Sequence, residues 1–315
     1  MAEQSKYEKI FSDYYRGMYV LQAQEQILHT NPIIGMFPKQ EVDTKDITVL
    51  EEQPIDKYED KLPKGKRLAK GATARKFRGE LVQPKGFKMV KHAIEYVIAQ
   101  EDMENSYYNL SNEVNAMSWI LGKDMTATIY ETAKKYAKEV DDANIGCQWA
   151  TADYDDILND IVYMKKQLRD QNINKIDNFI YGDEGITKLA SKSQVESMRY
   201  EFQKEGFYVD DVMRISGANH FWGGQDLEDP EVIGFNYNAP PIRIYYKRPS
   251  NPKVRNIPAI RGYEEVSPCI NMLMYDDSET NDEPVVTIKM SCTLGAFPIA
   301  KGNRMIRIPN ILNKS

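Results

Sequence analysis

The chain is poor in the residues that most often carry chemistry. Its 315 residues include three cysteines, Cys147, Cys269 and Cys292, and three histidines, His29, His92 and His220. None of the six stands at a ligand-like spacing from another, which argues against a disulfide scaffold and a zinc site. No apolar run approaches the length of about 18 residues that a membrane span needs. The first residues, Met1-Ala2-Glu3-Gln4-Ser5-Lys6, lack the basic-then-apolar pattern of a signal peptide. Phosphate-binding G-x-x-x-x-G-K-[ST] and G-x-G-x-x-G glycine patterns are missing, and Gly65 and Gly71 have the wrong spacing. So are the G-x-S-x-G elbow, H-E-x-x-H and C-x-x-C. No catalytic, cofactor-binding or metal-ligating residue is expected.

What is present is an ordinary globular composition, 42% hydrophobic and 28% charged, long enough for roughly two domains. The charge is unevenly spread. Residues 57–91 hold twelve basic and three acidic side chains, a charge of +9, so the remainder carries −15 against a total of −6. The centre of this stretch, residues 64–79, has neither helical nor strand periodicity. Such an arm binds nucleic acid, a membrane surface or an acidic protein surface, or is simply a solvated loop.

Periodicity places the other elements. An amphipathic helix is expected over 14–28, with a ragged stripe of Tyr14, Met18, Leu21 and Ile27. Short strands are expected over 36–50, and one long strand over 87–100. The clearest helix begins after Ser111, a candidate N-cap. Val114, Met117, Leu121, Met125, Ile129, Thr132 and Tyr136 recur along it at steps of three or four. About 28 helical residues make an element roughly 42 Å long, fit to act as a spine. Met117 and Met125 read as core packing, not as metal ligands. A second helix spans 153–172 with the stripe Ile157, Ile161, Met164 and Leu168. Strands follow at 176–181, 212–215, 232–237 and from 242, with a short helix at 184–190 and either another helix or a loop excursion at 193–205. Runs 270–275 and 285–294 flank a polar turn and form a hairpin, and 304–308 closes the chain. The pattern is α+β with mostly antiparallel strands.

Several groups invite a functional reading and favour a plainer one. The pairs Asp141-Asp142, Asp155-Asp156 and Asp210-Asp211 are adjacent, so their side chains diverge. Asp276, Asp277, Glu279 and Asp282 are rich in oxygen, but they lack the glycine and terminal Glu of a calcium loop and fit a solvated turn. His220, Phe221 and Trp222 before two glycines suggest a pocket wall; a structural role is the more common one. The triplet Asn109-Leu110-Ser111 matches a glycosylation site, with nothing to indicate secretion.

The order of elements resembles one known family. Residues 37–51 look like a strand leading into an extended loop, and 86–98 like its return. Residues 100–105 supply the polar stretch before a spine helix. Residues 152–157 look like the start of an axial-domain helix, and 175–189 like the strand and short helix after it. Residues 270–275 and 285–299 resemble the final return strands. The set, over roughly 30–310, is similar to the major capsid proteins of tailed viruses. Theirs is the Hong Kong 97-like fold, which encapsulins share.

That resemblance implies an N-terminal arm at 1–40, and the extended loop with its flanking strands at 41–100. It implies a peripheral domain with the spine helix at 101–145, an axial domain at 146–238, and return strands of the peripheral domain at 239–315. The stretch 249–268 fits no part of it. About 35 residues precede the fold, too few for the cleaved scaffolding segment of many relatives, so a separate scaffold or none is expected. The implied partners are the chain itself, as hexamers and pentamers in a closed shell, with portal and scaffolding proteins. Packaged double-stranded DNA would be held without sequence-specific contacts, and no membrane is involved. The implied place is the virion capsid, assembled in the host cytoplasm. The basic loop would dock on a neighbouring subunit through Lys64, Lys66, Arg67, Lys70, Arg75, Lys76, Phe77 and Arg78, with Leu68 as a further apolar anchor. Two alternatives stay open: an encapsulin-type compartment, and a nucleic-acid-binding protein gripping phosphates with 57–91. The second has few aromatic platforms, chiefly Tyr58, Phe77 and Phe87.

Overall fold

A computed structural model describes residues 13–31, 33–52, 82–104, 109–140, 154–169, 173, 175–181, 219–222, 231–247, 270–276, 285–299 and 304–309. The expected stretches 184–190, 193–205, 212–215 and 249–268 lie outside the described residues, as do Cys147, Cys269, Asp277, Glu279 and Asp282.

The main sheet grows around one long strand. β11 (Val285–Pro298) pairs antiparallel with β10 (Ile270–Asp276), with β4 (Val90–Ala99) along its first part, and with β9 (Ile242–Lys247) along its last. β9 pairs in turn with β1 (Lys39–Val42), in parallel. Alternation sets the inward face: Val286, Ile288, Met290, Cys292 and Leu294 are buried beside Ile270, Met272 and Met274. The pleat puts these alternate residues on one face, and Thr287 and Ser291 of the opposite face are buried as well. The expected hairpin is therefore present, with Ile270 opposite Cys292 and Asp276 opposite Val286.

The spine lies on that inward face. α4 (Leu110–Tyr136) is 27 residues long, and its cap is Asn109, not Ser111. The Asn109 side-chain oxygen accepts from the Ser111 N–H at 3.1 Å, an exposed N-cap bond. That role occupies the glycosylation-like Asn. Val114, Met117, Leu121, Met125 and Ile129 are buried as expected, while Thr132 and Tyr136 are half-buried. Burying an aliphatic side chain of this size contributes about 1.5–3 kcal/mol, so this stripe is the main anchor of the helix.

α1 (Asp13–Thr30) packs on α4 and β10. Its buried face is Tyr19, Val20, Ala23 and Ile27; Met18 from the expected stripe is exposed. The side of α4 it meets includes two small buried residues, Gly122 and Thr126. A Cβ on Gly122 would collide with the Asn31 side chain. α2 (Ile33–Met36) follows directly and buries Ile33, Ile34 and Met36.

The second sheet has the order β5-β12-β8-β6-β7: β5 is Lys138–Glu139, β6 Asn178–Tyr181, β7 Asn219–Trp222, β8 Val232–Phe235 and β12 Met305–Ile308. β5 and β7 were not anticipated; each finds its partner far along the chain. β7, with His220 and Trp222, pairs in parallel with β6. α5 (Tyr154–Arg169) buries Ile161, Met164 and Leu168. Met164 and Phe179 pack closely over Gly234, where an added Cβ would stand 2.9 Å from Met164 Cε and 3.0 Å from the Phe179 ring. Phe37 stacks on Phe235 at 5.2 Å between ring centroids, and residues of both sheets share one continuous core.

Candidate assembly surface

The basic segment is launched from a two-stranded ribbon. β2 (Asp46–Glu52) and β3 (Val82–Lys88) pair antiparallel, with Glu52 opposite Val82. The chain thus leaves at Glu52 and returns beside it at Val82. Pro84 sits opposite Leu50 in the ribbon, and both strands of a two-stranded ribbon are edge strands, the setting in which a strand tolerates proline. An isolated ribbon of this kind is marginal in water. Here it is pinned to the main sheet by a small cluster of Ile47, Val49, Met89, Tyr245 and Phe297. Phe87 stacks on Phe297 with centroids 4.2 Å apart, and the Met89 N–H donates to the Lys45 carbonyl at 2.9 Å. Burial of Met89 in this cluster is what breaks the expected 87–100 strand into β3 and β4.

The docking residues Lys64, Lys66, Arg67, Leu68, Lys70, Arg75, Lys76, Phe77 and Arg78 all lie outside the described residues, as does Tyr58. Three other basic residues of the stretch, Lys85, Lys88 and Lys91, belong to β3 and β4. Lys85 Nζ lies 5.5 Å from the Phe87 ring centroid and 5.4 Å from that of Tyr136. Since Phe87 is stacked on Phe297, it is not available as a platform for a base.

A polar junction ties the spine to the second sheet. Glu231, just before β8, is 3% exposed. Its Oε1 accepts from the Tyr130 hydroxyl at 2.5 Å and lies 3.9 Å from Lys134 Nζ, both on α4. Its Oε2 accepts from Arg307 Nη1 at 3.0 Å, and Arg307 Nη2 also bonds Glu139. Partial burial alone would lower the Arg307 pKa; the Glu231 and Glu139 carboxylates outweigh it and hold the guanidinium above its ordinary range. Three partners thus compensate the Glu231 carboxylate, so the loss of one is partly made up by the others. The sequence held no advance sign of it: Glu231 and Arg307 are far apart along the chain, and no local pattern marks either one.

No set of three or more His, Cys, Asp or Glu among the described residues could hold a metal ion. No helix among the described residues is long and apolar enough to cross a membrane. What the geometry does offer is mechanical: a rigid sheet and spine, with a charged segment leaving from an anchored ribbon.

No family model matches the chain, and no curated protein does. Solved structures do. A virus-like particle from Pyrococcus furiosus matches with a TM-score of 0.56 and 10% identity, over 92% of this chain and 97% of that one. A structure of Mycobacterium phage Che8 matches with a TM-score of 0.54 and 13% identity, over 86% of each chain. The mature capsid of bacteriophage PhiM1 matches with a TM-score of 0.50 and 7% identity, over 86% of this chain and 84% of that one. The architecture is therefore one found in virus and phage particles. More narrowly, it is the α+β, Hong Kong 97-like fold that the order of elements resembled.

Proposed function

We propose that this chain is a major capsid protein that self-assembles into an icosahedral shell around the double-stranded DNA of a tailed virus. The observation that carries this reading is the shared fold, which covers 92% and 86% of this chain in the first two matches and not one isolated motif. On this reading the five segments 1–40, 41–100, 101–145, 146–238 and 239–315 act as arm, extended loop, peripheral domain, axial domain and return strands. The chain's work is assembly into hexamers and pentamers, not catalysis. Portal and scaffolding proteins are its further partners, and the virion its destination after assembly in the host cytoplasm.

The basic segment then serves as a strap between subunits. Its ends are fixed by the ribbon, and a segment of charge +9 has too little apolar surface to bury itself alone. The remainder of the chain, at −15, supplies the opposite sign on a neighbour. Exposed ion pairs are worth only about 0.2–1 kcal/mol each, so the docking depends on many of them together.

Electron microscopy of the purified protein tests the shell directly. Closed particles some hundreds of Å across are expected; a monomer or dimer that binds nucleic acid with a steep salt dependence overturns the reading. Folded enzyme cargo inside the particles, in place of nucleic acid, would assign the chain to the encapsulin-type alternative. Arg75→Glu with Lys76→Glu should weaken assembly at low salt, and unchanged assembly would remove the strap.

A further inference from the structure

β4 is ten residues long. Among the described residues it pairs only with β11, so its second edge carries no strand. Long edge strands are usually blunted by proline, a bulge or a cover, because an open row of backbone groups recruits another strand. β4 has no proline, and three large apolar side chains along it stay in water: Val90 at 53%, Tyr96 at 38% and Val97 at 56% exposed.

The charges on this strand are arranged in a particular way. Lys91 and Glu95, both exposed, stand at equal distances on either side of exposed Ala93. If a second β4 pairs antiparallel about a two-fold axis through Ala93, each Lys91 falls opposite the other copy's Glu95. The same register sets Val90 opposite Tyr96 and His92 opposite Ile94. Opposite charges and aromatic–aliphatic pairs are the favourable cross-strand combinations. Moving the axis to Ile94 instead sets Lys91 opposite Val97 and Ala93 opposite Glu95, so that neither charge meets an opposite one across the contact, and Glu95 keeps only Lys289 of its own chain. A two-fold contact of this kind is self-complementary by construction. With the axis normal to the sheet, both copies keep α4 on the same side, and two five-stranded sheets join into one.

We infer that the β4 edge is a two-fold interface between two copies of this chain, centred on Ala93. It rests on the sheet topology and the strand's own residues, and so is separate from the strap made by the basic segment.

The test is Ala93→Cys under mild oxidation, read on a non-reducing gel against the native chain, whose own three cysteines set the baseline. A covalent dimer at least tenfold above baseline is expected. A yield no higher than the native chain's overturns the interface. Charge exchange checks the register. Adding Lys91→Glu to Ala93→Cys should cut the dimer several-fold. Adding Glu95→Lys and Lys289→Glu as well should restore it. The third change is needed because Lys289 pairs with Glu95 within one chain. A dimer indifferent to these changes, or one not restored, overturns the proposed register. Shells that assemble from the Ala93→Cys variant without forming the link would refute this interface and leave the shell reading standing. Linked dimers that never close into shells would do the reverse.

Discussion

The spine helix has two buried sides that are built in opposite ways. On one it presents Val114, Met117, Leu121, Met125 and Ile129, large apolar side chains of the core that also takes in the inward residues of β11. Toward α1 it presents Gly122 and Thr126, which are small or polar and equally buried. The first side gains its stability from area removed from water. The second gains it from close approach and from bonds that such closeness permits. The Thr126 hydroxyl donates to Asn31 Oδ1 at 3.1 Å, and Asn31 Nδ2 donates to the Ile27 carbonyl at 3.3 Å. Nearer the start of the helix, Gln22 Nε2 donates to Asn115 Oδ1 at 2.9 Å. A sheet and a helix are therefore held against one spine by different physics, and the two sides should fail differently when altered.

The largest expected effect is on the sheet side. Leu121→Ala removes a side chain that is 1% exposed and leaves a cavity walled by rigid strands. It should cost about 2–5 kcal/mol in urea unfolding of unassembled subunits. A cost under about 1 kcal/mol would mean that the sheet collapses into the gap, and that the two sides are less distinct than described.

Gly122→Ala adds one methyl group on the α1 side. Alanine gains up to about 1 kcal/mol of helix propensity over glycine, so the substitution is stabilising if α1 can yield. It cannot yield cheaply, because the added Cβ meets Asn31, whose amide is already bonded. Stranding a buried amide costs about 1–3 kcal/mol. The expected net is a loss of about 1 kcal/mol, with faster hydrogen exchange confined to α1. A gain in stability would show that the seam is looser than the structure describes.

The same contrast explains what was legible beforehand. The sheet-facing stripe announced itself, because large apolar residues at steps of three and four leave a clear period. The small-residue seam left none: the role of Gly122 and Thr126 depends on Asn31, far off in the chain. The hairpin of β10 and β11 was readable because its two runs flank one turn. The pairing of β11 with β4 and β9, and of β12 with β5 and β8, was not, since local pattern does not encode which distant strand lies alongside. For the same reason residues 90–99 read as a strand, but nothing in them said which edge would be left open. The basic segment was visible as charge alone. On the function proposed above its docking surface is on another copy of the chain, where no single-chain pattern reaches.

The smallest effect belongs to a third boundary, where α4 meets β4. His92 is half-buried there, with Nε2 3.3 Å from the Thr128 hydroxyl and Asp124 as the nearby carboxylate. Burial lowers its pKa below the ordinary 6.5, and Asp124 only partly opposes that. The folded state therefore binds this proton less readily than the unfolded chain does. His92 should cost no stability above pH about 6.5, and an increasing amount as pH falls below it. His92→Gln should flatten the loss of thermal stability between pH 7 and pH 5. Asp124→Asn removes the one opposing charge and should steepen it. Both slopes are read by melting unassembled subunits across that range. If His92→Gln leaves the slope unchanged, or Asp124→Asn flattens it, the boundary is wetter than its burial implies and behaves like open surface, unlike either side of the spine.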